Sequence, residues 1–288
     1  MTNCYYSMRL YIEKFPSSIN CQALLEMADQ ISILLGCKYD RLGYMLLHPD
    51  HDCKDVGVML RNNKTDRERF LALSIPLIYY GKQEKTPTSP FIIFEQYSKN
   101  NAKLPPYFIQ IEYPTNASQY LCMQIDIKEE LLLNRITLFT FKNVQNIVST
   151  NGYVINSAFL HYYWGDTHRT NLDGVDSGMI TMNDWHIIDH AIKFRHNWKD
   201  KVMDVFYMNS INKDILSKET ITRILSIVGD DNFIESDKSI FFQLPQNKSC
   251  YLLNRIFSTK SRRLIKQILQ RENLCCKDPS IIASFFKL

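Results

Sequence analysis

The chain has 288 residues, 45% hydrophobic and 12% aromatic, with 34 basic and 30 acidic residues that give a formal net charge of +4. This composition excludes a disordered chain, because it supplies ample apolar material for a core. The charges are spread along the chain, which argues against a nucleic-acid partner, since nucleic-acid binders concentrate their basic residues. One basic cluster falls on a predicted C-terminal helix, and we interpret it as a solvated helix face. Its members are Lys260, Arg262, Arg263, Lys266 and Arg271.

The cysteines and the N-terminal segment indicate where the protein works. Eight cysteines are scattered along the chain without a CxxC pair, as is typical of a reduced cytosolic protein. The first fifteen residues lack a basic region followed by an apolar core. No segment approaches the roughly 20 apolar residues of a membrane span. We therefore expect a cytoplasmic protein with no membrane partner.

The first predicted elements are a strand and a helix. Tyr5–Phe15 is rich in strand formers, and Pro16 to Ser18 can stop the strand and cap the next helix. Apolar residues then recur at helical spacing from Ile19 to Leu35, and Gly36 supplies a C-terminal stop.

The middle of the chain is predicted to be mainly strand. Short apolar runs at Tyr44–Leu47 and Val56–Leu60 precede a helix over Asp66–Tyr80, which Pro76 interrupts. Three strand-like segments with short connections then predict an antiparallel meander. These segments are Phe91–Tyr97, Tyr107–Tyr113 and Tyr120–Ile127.

Helices and strands also alternate in the second half. A helix over Ile136–Val148 ends before the turn at Asn151 and Gly152. The remaining predicted elements are strands at Gly178–Met182, Val202–Met208 and Ser239–Leu244 and helices at Ser217–Val228 and Ser261–Arg271. Together the elements predict an α+β fold of antiparallel sheets with helices packed on one face. Two organisations stay open: two similar α+β lobes, residues 1–150 and 151–288, or a single compact domain.

The stretch from His161 to His190 is the densest in functional residue types, with four of the seven histidines and two of the three tryptophans. Tyrosine, tryptophan and arginine supply most of the anchor energy of protein interfaces. We interpret the stretch as an aromatic and acidic loop region that ends in a helix and presents side chains to a protein partner; burial of the aromatic residues in the core is the alternative. The predicted partner-binding residues are Tyr162, Tyr163, Trp164, Asp166, Arg169, Asp173, Asp176, Asp184 and Trp185.

A metal site in the same stretch is the main competing interpretation. His186 and His190 are four residues apart and would share one helix face, as two metal ligands require. The metalloprotease pattern needs a glutamate after the first histidine, and Ile187 stands there instead. A third ligand would have to come from His161, His168 or Asp166. The chain also lacks a nucleophile elbow and a phosphate-binding glycine loop, so we predict no metal, no cofactor and no catalytic residue.

The order of the parts resembles the α+β immunity proteins of bacterial polymorphic-toxin systems. The matching segments are YYSMRLYIEKF with SINCQALLEMADQISILLG, then SGMITMNDW, then VMDVFYMNSINKDILSKETITRILSIVG. The resemblance covers most of the chain and implies a non-enzymatic cytosolic antidote that binds one cognate toxin and blocks its active site or substrate groove. Because opposite charges speed association, the net charge of +4 suits a neutral or acidic toxin, or recognition through a local acidic patch.

Two further functions stay open at this stage. One is a metal-dependent hydrolase that uses the His186 and His190 pair, and the other is a structural or scaffolding protein of a virus or mobile element. The oligomeric state is left open as well.

Overall fold

The computed structural model divides the chain into two compact units. The N-terminal unit comprises residues 5–136 and 143–155, and the C-terminal unit comprises residues 1–4, 137–142 and 156–288. Both contain helices and antiparallel sheet, so the predicted α+β fold is confirmed. The border between two lobes at residue 150 stays a prediction. The structure describes residues 4–46, 56–77, 90–97, 105–114, 121–132, 136–164, 169–170, 202, 205–245 and 259–275.

Six antiparallel strands form the sheet of the N-terminal unit. Their order across the sheet is β1-β6-β5-β4-β2-β3. Because β4, β5 and β6 are hydrogen-bonded neighbours in chain order, the predicted meander is confirmed. The strands are β1 (Cys4–Lys14), β2 (Arg41–Leu46), β3 (Val56–Arg61), β4 (Pro90–Glu95), β5 (Tyr107–Glu112) and β6 (Leu121–Lys128).

Helices α1 (Cys21–Leu35) and α2 (Lys64–Leu71) cover one face of this sheet. The hydroxyl of Ser32 on α1 lies 2.9 Å from that of Tyr107 on β5. Phe70 on α2 packs edge-to-face on Phe94 of β4, with ring centroids 5.9 Å apart. Phe94 stands opposite Ile109, which lies two residues from Tyr107 and so on the same face. The predicted packing of helices on one face therefore holds in this unit.

The boundaries of these two helices differ from the predicted ones. Asn20, not the segment from Pro16 to Ser18, caps α1, because its side chain accepts the N–H of Ala23 at 3.1 Å. The predicted stop at Gly36 is confirmed, with φ at 66°. Helix α2 begins at Lys64 and ends at Leu71, so the prediction that the segment from Asp66 is helical until Pro76 is wrong at its C-terminal end. The ring of Pro76 would clash with the carbonyl four residues earlier in a continued helix.

Helix α3 (Leu138–Thr150) and strand β7 (Val154–Trp164) each have residues in both units. In the C-terminal unit the strands follow the order β10-β11-β9-β7, with β8 beside β7. The remaining elements are β8 (Arg169–Thr170), β9 (Met208–Asn212), α4 (Lys218–Val228), β10 (Phe233–Glu235), β11 (Ser239–Gln243) and α5 (Thr259–Arg271). In the part of the chain that the structure describes, no helix is both long and apolar enough to cross a membrane.

The predicted strand at Val202–Met208 is wrong in position. The strand there is β9, which begins at Met208. The side chain of Asn209 accepts the N–H of Phe206 and donates to its carbonyl, both at 2.8 Å. These bonds hold the backbone before β9 in a local turn. The predicted strand at Gly178–Met182 lies outside the described residues.

The basic cluster on α5 is only partly a solvated face. Lys260, Arg263 and Arg271 are exposed. Arg262 is only 2% exposed, and its Nε donates a 2.6 Å hydrogen bond to the carbonyl of Val205. Burial lowers the pKa of Arg262 to about 10. The solvated interpretation is therefore wrong for Arg262, which anchors α5 to the segment before β9.

Candidate functional site

The aromatic triplet Tyr162, Tyr163 and Trp164 forms the end of β7. Tyr163 is in register with Thr170, and Trp164 with Arg169, on the short strand β8. The loop interpretation is therefore wrong for these residues, because they belong to an antiparallel strand pair. Their role in partner binding stays a prediction. The other predicted residues lie outside the described part of the chain: Asp166, Asp173, Asp176, Asp184, Trp185, His186 and His190.

His161, a suggested third metal ligand, lies in the core of the C-terminal unit. It is 5% exposed, and its ring lies 6.0 Å from the Phe159 ring and 6.3 Å from the Phe206 ring. Phe159 and Phe206 themselves stack with centroids 3.8 Å apart. Within the described ranges, no group of three His, Cys, Asp or Glu side chains could hold a metal ion. His168 and Asp166 lie outside those ranges.

The described surface contains a groove in the N-terminal unit that sequence reasoning did not identify. It encloses about 850 Å³ beside the pairing of β2 with β3. Most of its lining comes from the end of β3 and the turn that leads into α2. The lining residues are Asp40, Arg41, Met59, Leu60, Arg61, Asn62, Asn63 and Tyr97.

A row of three charged residues crosses the strands at one edge of this groove. Arg41 on β2 stands directly opposite Arg61 on β3 and directly opposite Glu95 on β4. A guanidinium nitrogen of Arg41 lies 3.3 Å from a Glu95 carboxylate oxygen. Burial raises the pKa of Glu95, and the positive charge of Arg41 opposes that shift. The row therefore contains two guanidinium groups and only one carboxylate.

Arg61 is the second guanidinium group of the row. Its side chain is exposed and makes no ion pair with a described residue. Like charges directly opposite each other on neighbouring strands are destabilising. A carboxylate brought to Arg61 would relieve the repulsion between Arg61 and Arg41.

Tyr97 contributes an exposed aromatic ring to the groove. It is 53% exposed, and the guanidinium carbon of Arg41 lies 4.8 Å from the centre of its ring, within the range of a cation–π interaction. The backbone N–H of Tyr97 donates to a carboxylate oxygen of Asp40 at 2.7 Å. This bond holds the Asp40 carboxylate, which keeps its charge, so the groove is lined by two guanidinium groups, one carboxylate and the ring of Tyr97.

A hydrogen-bond network beneath the groove holds its floor. Arg67 on α2 donates to Asn62 at 3.0 Å and pairs with Asp29 on α1 at 2.5 Å. Asn62 in turn donates to the carbonyl of Tyr39 at 3.0 Å, and the Tyr39 hydroxyl donates to Asp29 at 2.5 Å. The turn that lines the groove is thus tied to both helices, which preorganises it for binding.

The groove could not be located from the sequence. Its three anchors, Arg41, Arg61 and Tyr97, are separated by 20 and 36 positions along the chain. Only the register of β2 with β3 and β4 brings the three together. The local signal was limited to Arg41, three residues before the apolar run Tyr44–Leu47, and Arg61, directly after the run Val56–Leu60. Arginines are also common near solvated strand ends.

No family model and no curated protein matches this chain. Among solved structures, the Pseudomonas aeruginosa T6SS protein PA0821 is similar in fold, with a TM-score of 0.55 and 8% sequence identity. The similarity covers 93% of this chain and 72% of PA0821. It shows a shared fold with a protein of a type VI secretion system.

Proposed function

We propose that this protein is a non-enzymatic immunity protein that binds and neutralises a cognate bacterial toxin in the cytoplasm. The observation that carries the proposal is the fold shared with a T6SS protein over 93% of the chain. Such secretion systems serve competition between bacteria, and neutralising a toxin needs a complementary surface, not a catalytic constellation. The toxin's active site or substrate groove would be the blocked region.

The surface proposed to bind the toxin centres on the strand pair β7–β8. Tyr162, Tyr163 and Trp164 end β7, and Arg169 lies opposite Trp164. Tyrosine and tryptophan have only two χ angles and lose little side-chain entropy when they bind, and arginine offers a planar fork of hydrogen-bond donors, so all three are effective interface anchors. The acidic residues that follow them in sequence, Asp166, Asp173, Asp176 and Asp184, complete the proposed surface, together with Trp185.

The test is protection of bacterial cells from the toxin-like product of the neighbouring gene, because immunity proteins are encoded beside their toxins. Cells that express both proteins should survive, and the two should co-purify. Equal killing with and without this protein would refute the proposed function for that pair.

Two variants test the proposed surface. Trp164→Ala and Asp176→Arg should each weaken toxin capture at least tenfold. Truncation of an interface anchor typically removes more than about 1.4 kcal/mol of binding free energy, which corresponds to a tenfold loss of affinity. Asp231→Arg is the matched control, because Asp231 is an exposed carboxylate on the turn after α4. Thermal unfolding of Trp164→Ala separates the two roles of the tryptophan: a large loss of stability would identify a core residue instead of an anchor.

A further inference from the structure

We propose that the outer edge of β3 and the groove beside it bind an extended, acidic segment of a partner protein, with a carboxylate of that segment on Arg61. This surface lies in the N-terminal unit, whereas most of the strand pair β7–β8 belongs to the C-terminal unit. The inference therefore adds a second surface and stands independently of the immunity role.

Strand β3 lies at one edge of the sheet formed by the described strands. Among the described strands it pairs with β2 alone. The N–H of Asn62 donates to the carbonyl of Asp40, towards β2, whereas the N–H of Arg61 donates to Asp66. Because backbone groups alternate in direction along a strand, those of Gly57 and Met59 point outward as well.

Within its own sequence, β3 lacks the residues that usually protect an edge strand. Natural edge strands are guarded against pairing by lysine, proline, bulges or inward-pointing charges. The sequence of β3 is VGVMLR, which holds neither lysine nor proline and carries its single charge at Arg61. Gly57 is exposed and Met59 is half-buried. The edge can accept another strand, and main-chain hydrogen bonds then supply affinity.

Charge complementarity decides the chemistry of the occupant. The row across the strands contains two guanidinium groups and one carboxylate, and that carboxylate pairs with Arg41. A strand added beside β3 would place a residue next to Arg61, the exposed end of the row. Arginine and carboxylate can form two parallel hydrogen bonds, so glutamate or aspartate fits that position. Tyr97 offers an aromatic contact in the same groove.

The experiment titrates the full-length, isotope-labelled protein with a short blocked peptide in which glutamate alternates with valine, and follows backbone amide signals by NMR. We expect the signals of Gly57, Met59 and Arg61 to shift with a saturable dose response. A peptide with glutamine in place of glutamate should bind at least tenfold more weakly. No shift at β3, or equal binding of the two peptides, would overturn the proposal.

Arg61→Gln and its matched control Lys64→Gln test the assigned carboxylate site. Lys64 is exposed, lies three residues from Arg61 and does not line the groove. Arg61→Gln should weaken binding of the glutamate peptide about tenfold, because the charge-assisted hydrogen bonds of the guanidinium are lost. Lys64→Gln should leave binding of the peptide unchanged. Equal weakening by both variants would show a general charge effect and overturn the site.

Two controls exclude other occupants. Inorganic phosphate that shifts the same signals as strongly as the peptide would indicate a simple anion site and overturn the extended segment. Shifts at Gly57 and Met59 that grow with protein concentration alone would show that a second copy of the chain occupies the edge. Arg61→Gln should unfold at or slightly above the wild-type temperature, because its exposed side chain forms no ion pair with a described residue and lies opposite Arg41.

Discussion

The guanidinium of Arg67 donates two hydrogen bonds to the carboxylate of Asp29, at 3.3 and 2.5 Å, and so joins α2 to α1. Both side chains are about one-third exposed. The same guanidinium donates to Asn62 in the turn that lines the groove. This pair connects the helical layer of the N-terminal unit to the candidate binding groove.

A double-mutant cycle on Asp29 and Arg67 should measure a coupling free energy of about 1 kcal/mol, near the upper end for partly exposed pairs because the geometry is bidentate. Asp29→Ala, Arg67→Ala and the double variant would be compared by urea unfolding. The pair of Glu219 with Arg223 on α4 is the control, since it is more exposed and should couple by only about 0.3–0.5 kcal/mol. Equal coupling in the two pairs would contradict the prediction.

Replacing Phe94 by alanine should cost about 3–5 kcal/mol of the free energy of unfolding. Phe94 is fully buried and packs against the rings of Tyr39 and Phe70 at 5.3 and 5.9 Å, so its truncation leaves a cavity between the sheet and α2. Tyr97→Ala serves as the exposed aromatic control and should change stability by less than about 0.5 kcal/mol. The two values come from equilibrium denaturation, and a loss below about 1 kcal/mol for Phe94→Ala would show that Phe94 is not a core residue.

Replacing Arg262 on α5 by alanine should lower the stability of the protein far more than replacing its neighbour Arg263. Arg262→Ala removes a buried side chain that donates to the carbonyl of Val205, and the loss of this bond and of the packing of the side chain should cost about 2–4 kcal/mol. Arg263→Ala changes an exposed side chain of the same type and should cost less than about 0.5 kcal/mol. Thermal and urea unfolding measure the stability of the two variants. Similar losses in both would show that the buried hydrogen bond of Arg262 does not stabilise the fold.

Stability should fall at alkaline pH partly because of Cys37. Burial raises the pKa of this thiol from about 9 to about 11, so the folded state keeps a proton that the unfolded state loses. Its contribution is complete below about pH 9 and is lost as the pH rises towards 11, with a slope of up to about 1.4 kcal/mol per pH unit.

Cys37→Ala provides the comparison for that pH dependence. The difference in unfolding free energy between wild type and Cys37→Ala should be constant from pH 7 to about pH 8.5 and then shrink. A difference that stays constant up to pH 11 would rule out a raised thiol pKa. Alkylation of Cys37 at pH 8 should also be slow in the folded protein, since the thiolate is the reactive form.

The sequence by itself determined where many helices and strands lie. Apolar residues at helical spacing located α1, and Gly36 marked its end in a left-handed conformation. Ser217 and Gly229 marked the two ends of α4 in the same way, with Ser217 accepting the N–H of Thr220. These signals are local, because capping and helical periodicity involve residues only a few positions apart.

Beyond the meander of β4, β5 and β6, only the tertiary structure decided which strands are neighbours. Strand β7 was not recognised because residues 158–161 are all buried, which removes the alternation that identifies a half-exposed strand. The predicted strand at Val202–Met208 misplaced β9 because a side-chain turn at Asn209 was not visible in the apolar pattern.

The groove also depends on strand pairing that the sequence pattern does not reveal. Arg41, Arg61 and Glu95 are ordinary charged residues at strand ends in the sequence, and the strand register places them in one row. Register depends on pairing between segments distant in the chain, and a shift of one residue would turn each side chain to the other face. The sequence therefore determined many of the elements and some of their ends, whereas the charge excess at Arg61 arose only when three separate strands paired.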